Sequence, residues 1–309
     1  MYRYTLNFAG VLVMVGHSAA VAQDSAFGSL ASNFNISGYV DHSYLEFESG
    51  STFLTTAEVD LSFDRILGNW GVSLGWDARH LEGVTQSNLY PAVTYSFGDH
   101  VFSAGMTRPV PDRTYLDGRI ILASTYIDTQ LSSINGSTTS ALLLQESDMT
   151  NLGLRWDGQF GNTKVGASYN RITADGAPAN AHVYAAAIRH EMTLLTEQNS
   201  VAFFGSIERI EAADSATNWI LGLDGRYSQF GYGASYAHND LIGTGYHRAW
   251  LDYHATDNVT LTAELLGTPS DNYYSLGGAW RFQNGVALEA TYVSIGDNEL
   301  TDVSLRYEF

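Results

Sequence analysis

A few places in this chain bring reactive side chains close together in sequence. His190-Glu191 begins like the first half of a zinc-protease motif, but the second histidine that would share a helix face with it is missing, because position 194 is Leu. Asp41-His42, Asp99-His100 and His238-Asn239-Asp240 set a carboxylate near an imidazole, as a hydrolytic relay would. No serine sits in a recognisable nucleophile setting, and adjacent residues on a strand face opposite ways, so these pairs read as solvated loop and turn residues. The chain has no cysteine and no cluster with zinc spacing, and "GTGYH" at 243–247 lacks the third glycine of a nucleotide loop. Charge is the chemistry that remains. Asp112, Asp117, Asp128, Glu146 and Asp148 fall within or beside one long irregular stretch, while Arg79, Arg155, Arg189 and Arg248 fall in alternating segments. Carboxylates in such number could hold calcium through oxygen, although their spacing matches no calcium-loop motif.

Alternation of apolar and polar residues dominates from residue 34 onward, and helical periodicity is scarce. Phe53, Thr55, Ala57, Val59, Leu61 and Phe63 share one parity, against Thr56, Glu58, Asp60, Ser62 and Asp64 on the other. Tyr274, Leu276, Gly278, Trp280 and Phe282 oppose Ser275, Gly277, Ala279 and Arg281. The ending "TDVSLRYEF" sets Val303, Leu305, Tyr307 and Phe309 against Asp302, Ser304, Arg306 and Glu308. The same parity turns Arg79, Arg155, Arg189 and Arg248 away from Leu74, Leu154, Ile188 and Leu251. Segments of about ten residues are long enough to cross a bilayer when tilted.

The pattern predicts sixteen strands, over 35–47, 52–65, 70–81, 86–97, 100–108, 150–160, 163–173, 182–193, 200–210, 217–227, 230–238, 245–255, 258–267, 272–282, 286–295 and 300–309. Their connections alternate between tight Gly/Asn/Asp turns such as "LGN", "GDH" and "QNG" and longer polar ones such as "TADGAPANA" and "NDLIGTG". Aromatics mark both strand ends: Phe97, Phe102, Phe160, Tyr227, Phe230 and Phe282 by the tight turns, and Tyr169, Tyr236, Tyr246, Tyr274 and Tyr292 toward the others. Two rings of aromatics at two interfaces are what a lipid-spanning barrel needs. An even strand count leaves both ends on the periplasmic side, and closure removes edges that lipid would not tolerate. The last strand's apolar face therefore meets lipid or a neighbouring barrel.

Bulk composition agrees. Arg3, the apolar run "LNFAGVLVMVG" and "AVA" before Gln23 read as a secretory signal peptide over 1–22, leaving 23–309 as the mature barrel. The chain carries a net charge of -18 and a single lysine, Lys164, which excludes nucleic acid as a partner because nothing would neutralise its phosphates. Nineteen tyrosines and 30 glycines against 5 prolines suit an all-β exported chain.

One connection breaks the pattern. Residues 109–149 are too long for an ordinary loop. "RIILASTYIDTQL" and "SALLLQ" are apolar without alternating, so they call for burial. With its signal peptide, sixteen strands, alternating connections, long third external loop and terminal Phe309, the chain resembles the Gram-negative general diffusion porins of the α-proteobacterial type. The resemblance covers the whole mature chain and implies an all-β transmembrane barrel with the third loop folded into the lumen. It implies a constriction in which loop acids (Asp112, Asp117, Asp128, Glu146 and Asp148) face wall arginines (Arg79, Arg155, Arg189 and Arg248). Such a transverse field passes small hydrophilic solutes by size, charge and hydration without a binding step. It also implies a homotrimer in the outer membrane among lipid and lipopolysaccharide, with Phe309 as the signal for the barrel assembly machinery, and no cofactor. Trimer contacts fall, by the same analogy, on the first strands and the last, near Gly38 and Ala57. The loop lacks the "PEFGG" signature of enterobacterial porins, so its path does not carry over. Net acidity favours cations in the pore mouth. A second expectation makes "STYIDTQLSSINGSTTS" a further hairpin, giving eighteen strands and a sugar-specific channel. A barrel hydrolase or an adhesin is the third, weakened by the missing nucleophile and the short external loops.

Overall fold

A computed structural model describes residues 34–116, 124, 126, 127, 131, 136–145, 149–174, 179–193, 199–241 and 243–309. The expected signal peptide lies outside them. Alternating sequence becomes strand nearly throughout: β1 (Phe34–Phe47), β2 (Gly50–Leu67), β3 (Trp70–Leu81), β4 (Val84–Phe97), β5 (His100–Gly105), β6 (Met149–Phe160), β7 (Thr163–Ala174), β8 (Ala181–Thr193), β9 (Asn199–Glu211), β10 (Ser215–Tyr227), β11 (Phe230–Asn239), β12 (Thr244–His254), β13 (Val259–Gly267), β14 (Asn272–Arg281), β15 (Val286–Ile295) and β16 (Asn298–Glu308). Each pairs antiparallel with its neighbours in sequence, and β16 pairs with β1, closing a barrel. Beyond β16, Gly38 and Phe309 exchange both backbone hydrogen bonds at 3.2 Å, sealing the seam to the last residue. No described helix is long and apolar enough to cross a membrane; a barrel crosses with strands.

The sixteen strands are those the alternation predicts. The eighteen-strand expectation fails: the barrel closes with sixteen, and the described residues of 109–149 include the helix α1 (Thr138–Gln145). Strand ends differ from expectation by a residue or two, with one larger exception. β5 ends at Gly105 and does not continue to 108. Pro91 of β4 offers that side a carbonyl, taken by the Met106 N–H at 2.8 Å, but has no N–H to return. Gly105 turns there with φ 140°, and a Cβ would stand 2.5 Å from the Pro91 oxygen, so the departure point requires glycine.

Register assigns every strand residue to one of two faces. Outward parity carries large exposed apolar side chains, Leu154, Leu251, Leu276 and Leu305 among them. Inward parity carries Asp41, Asn170, Glu208, Arg248 and Asp302, all buried. Aromatic rings meet at tilted angles on the outward face toward both strand ends: Trp70–Tyr95 and Phe230–Tyr253 near the tight turns, Tyr44–Phe53 and Tyr169–Tyr184 toward the other end. Tyr246 is a correction: it shares parity with Arg248 and lies inside, in an apolar cluster with Leu45, Leu54 and Leu266. An apolar outward face surrounded by lipid makes charge there costly. Leu276→Arg, at the middle of β14 and 66% exposed, is expected to lower folding free energy by about 2–4 kcal/mol in bilayers, read as a lost fraction of heat-modifiable barrel on a gel.

Candidate functional site

Beyond Gly105 the chain leaves the wall and meets inward side chains around the barrel. Thr107 is tied first: its carbonyl accepts from Asn151 Nδ2 at 2.6 Å and Asn170 Nδ2 at 2.8 Å. Arg108 then reaches β2 and β3, where it pairs with Asp60 and, at 2.6 Å, with Asp77. Its guanidinium lies 4.8 Å from the Tyr90 ring centre. The approach is close enough that a Cβ at Gly75 would stand 2.9 Å from its carbon, so a larger residue there would push the guanidinium aside. Burial works against the Arg108 charge, but Asp77 and Asp60 outweigh it and hold the group protonated well beyond its usual range.

Four residues on, polarity reverses. Asp112 accepts from the Thr114 N–H at 2.9 Å and pairs at 2.5 Å with Arg155 of β6. Arg155 also grips Asp157 at 2.8 Å, and the Tyr115 hydroxyl donates to Asp157 at 2.7 Å. Burial and the Asp157 charge raise the Tyr115 phenol far above its usual range, so it stays a donor. Arg113 pairs with Glu58 of β2 at 3.4 Å and stacks over Tyr39 at 4.7 Å.

The distal part of the stretch is tied to the other side of the wall. Glu208 of β9, 2% exposed, accepts from the Ser137 hydroxyl at 2.6 Å and from the Thr138 and Thr139 N–H groups at 2.9 and 3.4 Å. It caps α1, where unpaired N–H groups and the helix dipole favour an anion. Asn218 and Asn239 donate to the Thr138 hydroxyl at 2.8 and 3.1 Å. Ser124 donates to Asp302 of β16 at 2.7 Å. Leu116, Ile127, Tyr126 and Leu131 pack on inward Leu45, Leu54, Phe204 and Leu300, which explains an apolar stretch without alternation.

Of the expected site residues, Asp117, Asp128, Glu146 and Asp148 lie outside the described residues. Asp112 and Arg155 come together in direct contact. Arg189 pairs with Asp224 at 2.7 Å and Glu191 at 3.2 Å, both wall residues, and Arg248 pairs with Glu264 on the adjacent strand. Arg79 lines a cavity of about 170 Å³ with Asp112, Arg108 and Arg113, and makes no ion pair with a described residue. Arg108, Arg113, Glu58, Asp60, Asp77 and Glu208 were not anticipated. Parity already turned Glu58 and Asp60 inward, but an expected acidic loop drew attention from the two arginines at its start. Of the five carboxylates offered to calcium, Asp112 is engaged by Arg155 and the Thr114 N–H and the other four lie outside the described residues; among the described residues no group of three acidic or histidine side chains is set to hold a metal ion.

Catalytic pairings fare as strand geometry dictates. Asp41 is buried inside while His42 stacks on Phe53 outside, with rings 5.4 Å apart. His238 does meet Asp240 at 2.7 Å, at the barrel's outer rim, where no serine hydrogen-bonds to it among the described residues.

No protein-family model matches the chain, and comparison with curated proteins finds no match. Solved structures do. A mutant of Rh. blastica porin superposes with TM-score 0.63 at 11% identity, over 89% of this chain and 100% of that one. A loop L8 deletion mutant of OmpT, an outer membrane protein of Vibrio cholerae, gives 0.58 at 11% identity over 89% and 99%. OccAB2 of Acinetobacter baumannii gives 0.50 at 7% identity over 91% and 99%. The fold of this chain is the closed sixteen-stranded barrel seen in the Rh. blastica porin.

Proposed function

We propose that this chain, built on a porin fold, is a Gram-negative outer-membrane porin, a water-filled channel for passive diffusion of small hydrophilic solutes and ions. The observation that carries this reading is the charged, hydrogen-bonded inward face of a closed sixteen-strand barrel, engaged by the residues that follow β5 through Arg108, Asp112, Arg113 and Ser137. A lipid-filled or dry lumen would not hold such charges; water does, and barrels of about this strand number leave a channel. In this reading the stretch lies in the lumen and narrows it. Ions pass beside two clusters of contacting charges: Arg108 and Arg113 with Glu58, Asp60 and Asp77, then Asp112 with Arg155 and Asp157. Asp117, Asp128, Glu146 and Asp148 add to the acidic side, Arg79 to the basic side, and Arg189 and Arg248 brace the wall through their own carboxylates. Residues 1–22 direct export and are cleaved near Ala22, Phe309 addresses the assembly machinery, and three copies pack together among lipid and lipopolysaccharide. The protein acts without a cofactor and not as an enzyme.

Cation preference in this account comes from the outer rim. Glu46, Glu48, Glu82, Glu211, Asp214, Asp240, Asp271, Asp297 and Glu299 are exposed around the ends reached by the longer connections, whereas Arg226, Arg281 and Lys164 lie toward the tight turns. Screening weakens with dilution, so the reversal potential is expected to show stronger cation preference when the dilute salt faces the acidic end than when the gradient is reversed. Equal and opposite potentials would remove the rim from the account.

Liposome swelling with sugars of graded size tests the function. Entry that falls smoothly with size and ignores sugar identity is expected. One sugar class entering far faster than others of equal size would point to a substrate-specific channel.

A further inference from the structure

Inward apolar side chains form a collar around this barrel. Among the described residues, every strand except β5 gives at least one to one of two apolar clusters. The larger cluster runs from β9 through the β16–β1 seam to β3, and includes Ile220, Leu266, Val293, Leu300 and Leu45, all in the half of the wall nearer the longer connections. The second takes β4 and β6 to β9, with Leu143 of α1 in the same cluster as Ile172 and Val183. Leu45 and Val293 are 0% exposed, whereas outward Leu276 is 66% exposed. An inward side chain facing open water would show a comparable surface, so these are covered.

The cover comes from the chain beyond β5. Leu116, Tyr126, Ile127 and Leu131 belong to the larger cluster, and the Tyr126 ring meets that of Phe47 edge-on at 5.2 Å. Asp302 holds this part to the wall, taking the Ser124 hydroxyl at 2.7 Å and the Tyr126 N–H. The half nearer the tight turns is built differently. Arg226, Asp252, Arg281 and Glu308 line a cavity of about 370 Å³, with Thr262 and Ala279 between them, and Arg226 and Arg281 are exposed. Charges in the covered half are matched instead, Arg248 with Glu264 and Glu208 with the start of α1.

We propose that the channel rests closed, sealed in the half nearer the longer connections by Leu116, Tyr126, Ile127 and Leu131 against this apolar collar, and that it conducts when those side chains leave it. A narrow apolar constriction excludes ions by dewetting, because an ion would shed its hydration there and find no partner. The gate rests on the channel reading above and goes beyond it, since a constriction made of charges alone would stand open.

The chain has no cysteine, so single cysteines report water at chosen heights. In nanodiscs open to solvent on both sides, a small charged thiosulfonate is expected to modify Ala279→Cys quickly and Val293→Cys about tenfold more slowly, because reaction there waits for the seal to open. Planar-bilayer recording should find wild-type channels closed for most of the time between full openings. Val293→Thr/Leu300→Asn puts polar groups into the collar and should raise the open fraction about tenfold with unit conductance unchanged. Equal modification of Val293→Cys and Ala279→Cys, or wild-type current that stays on after insertion, overturns the gate and leaves the channel reading standing. No current from either wild type or the double variant overturns both. Heat-modifiability of each variant separates an open gate from a lost fold.

Discussion

Glu208→Gln is expected to release the distal half of the stretch 109–149 from the wall. The carboxylate of Glu208 accepts from Ser137 and from two backbone N–H groups at the start of α1, and it is almost wholly buried. Glutamine keeps the shape but turns an NH₂ toward donors that need an acceptor, and removes the charge that the helix end favours. Losing one charge-assisted bond and stranding an N–H costs about 2 kcal/mol, a factor of about 30 in the population of the detached state. Single channels should then show added open-state noise and a larger mean conductance, and larger sugars should enter liposomes. The barrel itself should remain heat-modifiable, since β9 keeps its pairing with β8 and β10. Asn218→Ala or Asn239→Ala should act in the same direction and more weakly, each removing one neutral hydrogen bond to Thr138.

Arg108→Gln carries the second large effect. Arg108 answers Asp60 and Asp77 together, at a side-chain exposure of 13%, with Glu58 close by on the same strand face. Without it three inward carboxylates are left with Arg113 and Arg79 as the nearest cations on that side. The reversal potential in a salt gradient should move toward the cation limit. Breaking a fully buried pair costs about 3–5 kcal/mol, but Asp60 is 46% exposed and water screens part of the loss, so about 1–3 kcal/mol of stability is expected to go. Arg155→Gln should shift selectivity in the same direction while loosening Asp112, which gives it a conductance change that Arg108→Gln lacks. An unchanged reversal potential in Arg108→Gln would mean that ions do not pass beside Glu58, Asp60 and Asp77.

Strands were legible because each carries its instructions locally. Phe53 to Phe63 and Leu276 to Phe282 alternate without interruption, and a one-residue slip would have put Glu58 or Arg281 into lipid. β5 misled at its end because Met106 and Thr107 continue the alternation, while the proline that deprives it of a donor sits on β4. Tyr246 looked like a girdle residue because strand ends attract aromatics, yet its parity matched Arg248 and already assigned it inside. The site was readable only in part. Inward parity of the wall charges follows from period two, but which charges meet depends on contacts across long sequence separations, such as Ser137 with Glu208 and Ser124 with Asp302. No local pattern encodes those pairs. The expected division into acidic loop and basic wall missed Arg108 and Arg113 for the same reason.

Single-channel recording of the purified protein in a planar bilayer tests the central claim most directly. Discrete steps, with conductance rising in proportion to salt and no saturation by any one solute, are the predicted result. A heat-modifiable barrel that inserts into the bilayer and passes no current would contradict it.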